Sequence, residues 1–254
     1  MKLVIYTALF ADESLPIDQV GCFYPFQHDK GDVEYIAFTN RQDLTSDFWD
    51  VRYVDLMQSS PRVDARYYKI NSHNVLPEHD ASIWMDSQCY FVYDPGSIID
   101  KYLTQTNSEV AIHHHGDINS LAQESVAQAW LYKNDDAHIV MNQMLRYTDT
   151  DFPMMRYDHY ETGILLRLNT NRVQRFNDMW WNEIQSGSLR DQLSIPYVVW
   201  MLRQEKYMNI HTIPESFTAH PSGLRIPKSK IFFTTPKPKL EENIEKRKHD
   251  NISM

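Results

Sequence analysis

The length, composition and charge of the chain limit the classes of protein to which it can belong. Its 254 residues, of which 42% are hydrophobic and 13% aromatic, can bury the core of one large domain, which excludes a disordered or repetitive chain. The net charge is −9, with +4 on the segment 225–254 and −13 on the first 224 residues. An acidic body repels a nucleic-acid backbone, although the basic tail leaves a nucleic-acid partner open.

The cysteines and the apolar runs indicate the compartment. The chain has two cysteines, Cys22 and Cys89, without C-x-x-C spacing, so no disulfide framework is expected. Residues 1–10 lack a small-residue cleavage site and favour a first strand over a signal peptide. No apolar run approaches the roughly 20 residues that span a bilayer. We therefore expect a cytoplasmic protein without a transmembrane segment, and we leave peripheral attachment to a membrane open.

Residues 3–85 predict an alternation of strands and a helix. The β-rich runs 3–9 and Glu34–Thr39 are each followed by turn-forming residues, which indicates buried parallel strands. The pattern over 64–77 is helical and stops at Pro77, and Ala81–Met85 follows as another strand. This order predicts a single α/β domain with a mainly parallel central sheet flanked by helices.

The second half of the chain is predicted to be largely helical. Ser120 and Gln123 have capping-box spacing at the start of one helix. The next helix shows apolar residues at spacings of three, four and four, and Gly187 is expected to end it as a left-handed cap. The residues of this stripe are Val173, Phe176, Trp180 and Ile184.

A last helix is predicted from near Asp191 to Arg203. Because Pro196 is best tolerated in a first turn, we place the start of this helix close to Ser194. Prolines and charges dominate from residue 221 onward. The predicted organisation is therefore a domain over residues 1–220 and a tail over 221–254, which is extended with at most a short terminal helix.

The segment 64–88 is the most informative for chemistry. A helix bearing Arg66 and Lys69 precedes a hydrophobic strand, and Asp86 stands at the end of that strand. The carboxyl ends of strands form the ligand crevice of an open α/β sheet. A carboxylate there can hold Mg²⁺ or Mn²⁺ against a diphosphate, and the two basic residues would add cationic contacts. The alternative is that Asp86 caps the next turn.

The same segment resembles a plant and bacterial glycosyltransferase family that was first described only as a domain of unknown function and includes ceramidase-like and mucilage-related transferases. Its pattern, R-x-x-K-x-x-x-H-x-x-x-P-x-x-D-x-x-x-W-x-D, is matched by Arg66, Lys69, His73, Pro77, Asp80, Trp84 and Asp86. Weaker similarity continues through phrases at 111–115, 161–167, 180–184 and 188–194, so that the resemblance covers roughly residues 1–205.

The resemblance implies a GT-A-like fold and a nucleotide-diphosphate sugar donor, with uridine diphosphate (UDP) as the nucleotide. The layout is also distantly similar to glycogenin-like transferases, in which the strand ends in a D-x-D metal motif. Here Gln88 replaces the second carboxylate. The implied ligands of Mn²⁺ or Mg²⁺ are Asp86, Gln88 and the late histidine His220.

Three consecutive histidines and a tryptophan are candidates for contact with the acceptor sugar. His113, His114 and His115 follow one another on a predicted strand, so they alternate between its faces and cannot all converge on one metal ion. We expect one or more of them, with Trp181, to face the acceptor. The alternative is one buried, hydrogen-bonded histidine with two exposed neighbours.

Glu161 and Asp191 are candidate catalytic carboxylates, because each lies in a family-like phrase beside the start of a predicted element. Either could accept the hydroxyl proton of the acceptor or act on the donor face. Asp191 could instead cap its helix. Arg190 either contacts a donor phosphate or forms an ion pair with Glu183.

The leading functional prediction is metal-assisted transfer of a sugar from a nucleotide-diphosphate sugar to a carbohydrate acceptor. Two alternatives remain. One is a phage-type glycosyltransferase that acts on modified DNA bases, which the basic tail leaves open. The other is a catalytically silent carbohydrate-binding protein of the same fold, which the missing second carboxylate at Gln88 suggests.

Overall fold

Strands and helices alternate along most of the chain. The computed structural model describes residues 1–17, 23, 31–57, 60–87, 89–91, 94–115, 120–126, 128–129, 137–214 and 224–225. The strands are β1 (Leu3–Ala8), β2 (Glu34–Thr39), β3 (Asp50–Tyr53), β4 (Ala81–Met85), β5 (Tyr90–Phe91), β6 (Val110–His114), β7 (Tyr160–Leu168), β8 (Ile210–Ile213) and β9 (Leu224–Arg225). The helices are α1 (Pro61–Ile70), α2 (Ser72–Val75), α3 (Pro95–Ile99), a π-helical turn (Asp100–Thr104), α4 (Leu121–Val126), α5 (Ala137–Thr148), α6 (Asn171–Ser186) and α7 (Asp191–Gln204).

Seven strands form the central sheet, in the order β3-β2-β1-β4-β7-β6-β8. Strand β7 is antiparallel to both of its neighbours, and every other neighbouring pair is parallel. Six strands therefore share one carboxyl edge, which β7 enters from its amino end. The prediction of an α/β domain with a mainly parallel central sheet flanked by helices is confirmed.

Each face of the sheet is covered by its own hydrophobic cluster. Successive side chains of a strand point to opposite faces. In β1, Leu3 and Ile5 pack into a cluster with α3 and the π-helical turn, whereas Val4 and Tyr6 pack into a cluster with α1, α6 and α7. The predicted apolar stripe of α6 is buried in this second cluster. Helix packing on both faces leaves the carboxyl edge as the open side of the sheet.

Gly187 ends α6, but not as a left-handed cap. Its φ is −147°, which is extended backbone. Glycine fits here because there is little space for a side chain: a Cβ at this position would lie 2.7 Å from the side-chain amide of Gln143. That amide accepts a hydrogen bond from the backbone N–H of Ser188 at 2.9 Å. The predicted left-handed cap is wrong, and close packing against α5 replaces it.

Helix α7 begins at Asp191 rather than near Ser194, so the predicted start is also wrong. Pro196 lies inside the helix, where it removes one hydrogen bond to a preceding carbonyl. The helix is buried between two hydrophobic clusters, and a fully buried aliphatic side chain such as Val199 or Leu202 contributes about 1.5–3 kcal/mol. This burial outweighs the lost hydrogen bond.

Part of the predicted tail pairs with the domain. Leu224–Arg225 forms a two-stranded antiparallel ladder with Tyr90–Phe91, directly downstream of the segment that contains Asp86. The boundary at residues 220 and 221 remains a prediction. In the described part of the chain, no helix is both long and apolar enough to cross a bilayer.

Candidate active site

A cavity of about 240 Å³ opens at the carboxyl edge of the sheet. Helix α1, the ends of β4 and β6, the amino end of β7 and the first turn of α7 all reach it. Its lining residues are Arg66, Lys69, Asp86, His115, Glu161, Thr162, Gly163, Arg190, Asp191 and Gln192. The structure thus brings together seven residues that the sequence singled out, and it adds Thr162, Gly163 and Gln192, which carried no signal of their own.

Strand β7 shapes the wall of the cavity. The pairing of β6 with β7 shifts between Ile112 and His113, so Thr162 and Gly163 have no partner in β6. On the other side, the Gly163 carbonyl accepts a hydrogen bond of 2.8 Å from the backbone N–H of Asp86. This irregularity releases residues 162–164 of β7 from β6, whereas Tyr160 and Glu161 at the amino end of the strand pair with β6 again.

Lys69 joins two of the three carboxylates that line the cavity, those of Asp86 and Asp191. Its ammonium group donates a hydrogen bond to Asp191 Oδ2 and lies 3.9 Å from Asp86 Oδ1. Its side chain is only 3% exposed. A buried ammonium needs charged partners, so these carboxylates fix the end of α1 to the sheet and to α7.

The backbone of Lys69 is held from the opposite side by Arg167, which sequence reasoning did not single out. Arg167 is fully buried and donates hydrogen bonds of 2.9 Å to the carbonyls of Lys69 and Ile70. The Tyr6 hydroxyl donates a third, of 2.8 Å, to Lys69. These donors satisfy carbonyls that a helix end leaves free. The one available signal was an arginine within the apolar run of β7.

Asp191 is a buried, charged anchor and not a helix cap. Arg190 occupies the cap position, and Asp191 is the first residue inside α7. Thr162 Oγ1 donates a 2.9 Å hydrogen bond to Asp191 Oδ2, and Arg66 Nη2 lies 3.5 Å from Oδ1. Burial alone would raise the pKa of Asp191, but the charges of Arg66 and Lys69 outweigh it and hold that pKa well below its usual range. Such a carboxylate is a weak proton acceptor.

The side chain of Asp86 is held at one of its two carboxylate oxygens. Its Oδ1 accepts a 3.0 Å hydrogen bond from Trp84 Nε1, and its side chain is 38% exposed. None of the donors in the described ranges reaches Oδ2, and a carboxylate oxygen of this kind suits a hard divalent cation. Those ranges contain no group of three or more metal-ligating side chains. Gln88 and His220, the other predicted ligands, lie outside the described residues.

Arg190 pairs with Glu124, and the predicted pairing with Glu183 is wrong. Arg190 Nε lies 3.0 Å from Glu124 Oε1 on α4. Glu183 instead pairs with Arg146 at 2.8 Å and accepts the Tyr147 hydroxyl at 2.7 Å. The reason is that Glu183 faces α5, away from the cavity, whereas the first turn of α7 faces α4.

One of the predicted acceptor contacts lies at the cavity. His115 lines it, whereas His113 is fully buried and His114 is partly buried outside the lining. Trp181 is half-buried and packs edge-on against Tyr67, with ring centroids 5.2 Å apart, so it lies outside the lining as well. A role for His113, His114 or Trp181 in acceptor binding remains a prediction.

Comparisons with known proteins identify the family. The sequence model of the TOD1/MUCI70 glycosyltransferase-like domain matches residues 17–218. "Alkaline ceramidase TOD1" of Arabidopsis thaliana is 24% identical over 242 residues, which cover 83% of this chain and 51% of that protein. "Probable hexosyltransferase MUCI70" of the same plant is 27% identical over 192 residues, which cover 71% of this chain and 32% of that protein.

The chain therefore spans about half the length of the first relative and about a third of the second. Among solved structures, apo mouse xyloside xylosyltransferase 1 aligns over 91% of this chain and 98% of its own, with a TM-score of 0.47 and 8% identity. The match of the family model to most of the chain agrees with the pattern at residues 66–86. The chain belongs to the TOD1/MUCI70 glycosyltransferase-like domain family.

Proposed function

We propose that the chain transfers a sugar from a nucleotide-diphosphate sugar, with UDP as the nucleotide, to a carbohydrate acceptor. The observation that carries this proposal is the single cavity that Arg66, Lys69 and Arg190 share with Asp86. Fixed cationic groups stabilise the negative charge that grows on a diphosphate as the sugar departs. Membership of a glycosyltransferase-like family and the name of one relative, a probable hexosyltransferase, support this reading.

The two arginines are suited to hold the diphosphate. Arg66 Nε donates a 3.0 Å hydrogen bond to the carbonyl of Leu189, and Arg190 Nε donates to Glu124. Each guanidinium is thereby held at its inner nitrogen. Arg66 Nη2 also lies 3.5 Å from Asp191 Oδ1, and the remaining Nη groups are the ones proposed to meet the ligand. Paired N–H donors in this geometry match phosphate oxygens.

A divalent cation is part of the proposal. Asp86 Oδ2 would hold Mn²⁺ or Mg²⁺, with Gln88 and His220 as the further predicted ligands. When bound, the cation neutralises charge on the diphosphate leaving group. The role of Asp86 itself is to present one oriented carboxylate oxygen at the mouth of the cavity.

Glu161 and His115 are proposed to act on the acceptor side. Both line the cavity, and Glu161 lies on the amino end of β7 beside Thr162. A carboxylate or an imidazole can accept the proton of an attacking hydroxyl. Asp191, with its strongly lowered pKa, is proposed to position Lys69 and Arg66 and to contribute charge.

The cavity favours sugar transfer over hydrolysis of a sphingolipid amide, the activity named for the other relative. None of the described lining residues carries a hydrocarbon side chain. Burial of an acyl chain against a mainly polar wall would leave polar groups without partners, at a cost in free energy. A diphosphate and a hydroxyl-rich sugar meet these groups with charge and hydrogen bonds.

The test is a screen of nucleotide sugars for slow hydrolysis and transfer, with and without Mn²⁺. We expect the purified protein to release a nucleoside diphosphate from one donor, faster with metal, and Asp86→Asn to release none. Parallel reactions contain a glycan mixture, ceramide or DNA with modified bases. Amide hydrolysis, transfer to DNA, or glycan binding without turnover of any donor would each contradict the proposal.

A further inference from the structure

A buried carboxylate that no predicted role includes lies behind the cavity. Glu124, on α4, is fully buried. Its Oε1 accepts hydrogen bonds from Arg190 Nε at 3.0 Å and from Gln128 Nε2 at 2.9 Å. Its Oε2 has no hydrogen-bond partner among the residues that the structure describes, and it lies 3.9 Å from His159 Nε2. A carboxylate withdrawn from water in this way needs a compensating charge.

His159 does not supply that charge. Its ring is fully buried, and in the described ranges neither ring nitrogen finds a hydrogen-bond partner. Burial, and then the neighbouring His115 and Arg190, lower the pKa of His159 to about 3, so the imidazole is neutral at ordinary pH. Within the described part of the chain, Arg190 is therefore the one charged partner within 4 Å of the Glu124 carboxylate.

Arg190 carries this contact into the cavity. Its side chain is 31% exposed and lines the cavity, and its backbone N–H is held by Ser188 Oγ at 2.9 Å. The two Nη groups make no hydrogen bond to any residue that the structure describes. The guanidinium is thus fixed at its inner edge by a buried carboxylate, and its outer edge is open to a ligand.

We propose that Glu124 is a positioning residue that orients the guanidinium of Arg190 toward the diphosphate of the donor. The inference rests on the proposed function and deepens it. A side chain that is ordered before binding loses less conformational entropy when the ligand arrives. Loss of the Glu124 contact should therefore weaken donor binding and leave the overall fold in place.

Two conservative substitutions of Glu124 separate the effect of where its carboxylate lies from the effect of its negative charge. Glu124→Asp keeps the charge but withdraws the carboxylate from Arg190 Nε by one methylene. Glu124→Gln removes the charge but keeps an acceptor oxygen at the same place. Each is made in the full chain, alone and with Arg190→Ala, and UDP binding is measured by calorimetry with Mn²⁺ present. Glu183→Gln is the matched control, because it alters an Arg–Glu pair that lies away from the cavity.

The expected result is that Glu124→Asp weakens UDP binding about tenfold, equivalent to about one charge-assisted hydrogen bond, and that Glu124→Gln weakens it less than about threefold. In the Arg190→Ala background, Glu124→Asp should change the affinity by less than about twofold, since coupled residues are not additive. Glu183→Gln should bind UDP like the wild type.

Three other results would overturn the inference. Equal losses for Glu124→Asp with and without Arg190 would show a general structural effect. Tighter binding by Glu124→Gln together with unchanged binding by Glu124→Asp would show that the charge and not the position of Glu124 matters. Failure of the wild type to bind UDP would contradict the proposed function and this inference together. The first two results, in contrast, would contradict only the role of Glu124. Melting temperatures confirm that each variant is folded.

Discussion

The ammonium group of Lys69 contacts the carboxylate of Asp191, and each side chain is only 3% exposed. The pair joins the last turn of α1 to the first turn of α7 across the floor of the cavity. Asp86 lies 3.9 Å from the same ammonium group, so one cation holds two acidic residues that come from distant parts of the chain. The floor of the cavity is therefore also a structural joint.

We predict that Asp191→Asn loses stability as well as turnover, because it leaves the buried ammonium of Lys69 without its closest counter-ion. Breaking one half of a buried ion pair costs about 3–5 kcal/mol in the free energy of unfolding. Denaturant titration at pH 7 measures it. The matched control is Glu205→Gln, which removes the exposed pair with Arg175 at the other end of α7 and should cost less than about 1 kcal/mol. A wild-type stability for Asp191→Asn would refute this role.

The contribution of Asp191 to the free energy of unfolding should depend on pH. Its folded pKa is held below its unfolded value of about 3.9, so its contribution to stability is present above that pH and is lost as the pH falls toward the folded pKa. We expect the difference in free energy of unfolding between the wild type and Asp191→Asn to shrink below about pH 4. Denaturant titrations at several acidic pH values measure that difference. A constant difference would mean that the folded pKa of Asp191 equals its unfolded value, so that Arg66 and Lys69 do not lower it.

For Asp86 we predict that two substitutions have the same effect on turnover and different effects on stability. Asp86→Asn keeps an acceptor for Trp84 Nε1, whereas Asp86→Ala leaves that buried N–H without its partner, at a cost of about 1–3 kcal/mol. Both should abolish sugar transfer, since neither offers a carboxylate to the cation. Thermal unfolding and donor turnover check the two parts separately. Substantial turnover by Asp86→Asn would show that sugar transfer does not require the negative charge of Asp86.

Two arginines one turn apart on α1 allow a matched comparison. Arg66 lines the cavity, whereas Arg62 is exposed on the same helix. We predict that Arg66→Ala raises the KM for the donor about tenfold, as expected for one lost charge-assisted contact, with a smaller effect on the KM for the acceptor. Arg62→Ala should match the wild type. Steady-state kinetics with each substrate varied in turn give both constants, and equal effects of the two substitutions would exclude a donor contact for Arg66.

The parts of the fold that the sequence predicted correctly depend on local patterns. The strands β2 and β4 and the apolar stripe of α6 follow from runs and spacings within a few residues. Gly187 and Pro196 were misread because their environments are set by other elements. The side chain of Gln143 occupies the space beside Gly187, and the burial of α7 keeps Pro196 inside a helix.

The same distinction applies to the site. Arg66, Lys69 and Asp86 could be placed together because they lie within 21 residues of one another, on a helix and at the end of the next strand. The contact of Lys69 with Asp191 spans 122 positions, and that of Glu124 with Arg190 spans 66. Such pairs depend on how α7 packs against α1 and α4, which no local spacing reveals.

We propose that this cavity binds the diphosphate of a nucleotide-sugar donor. The most direct measurement is a calorimetric titration of UDP into the wild type and into Asp86→Asn, each with and without Mn²⁺. We expect saturable binding by the wild type that metal strengthens, together with loss of the metal-dependent part in Asp86→Asn. Wild-type protein that binds neither UDP nor any other nucleoside diphosphate, with or without metal, would contradict the proposal.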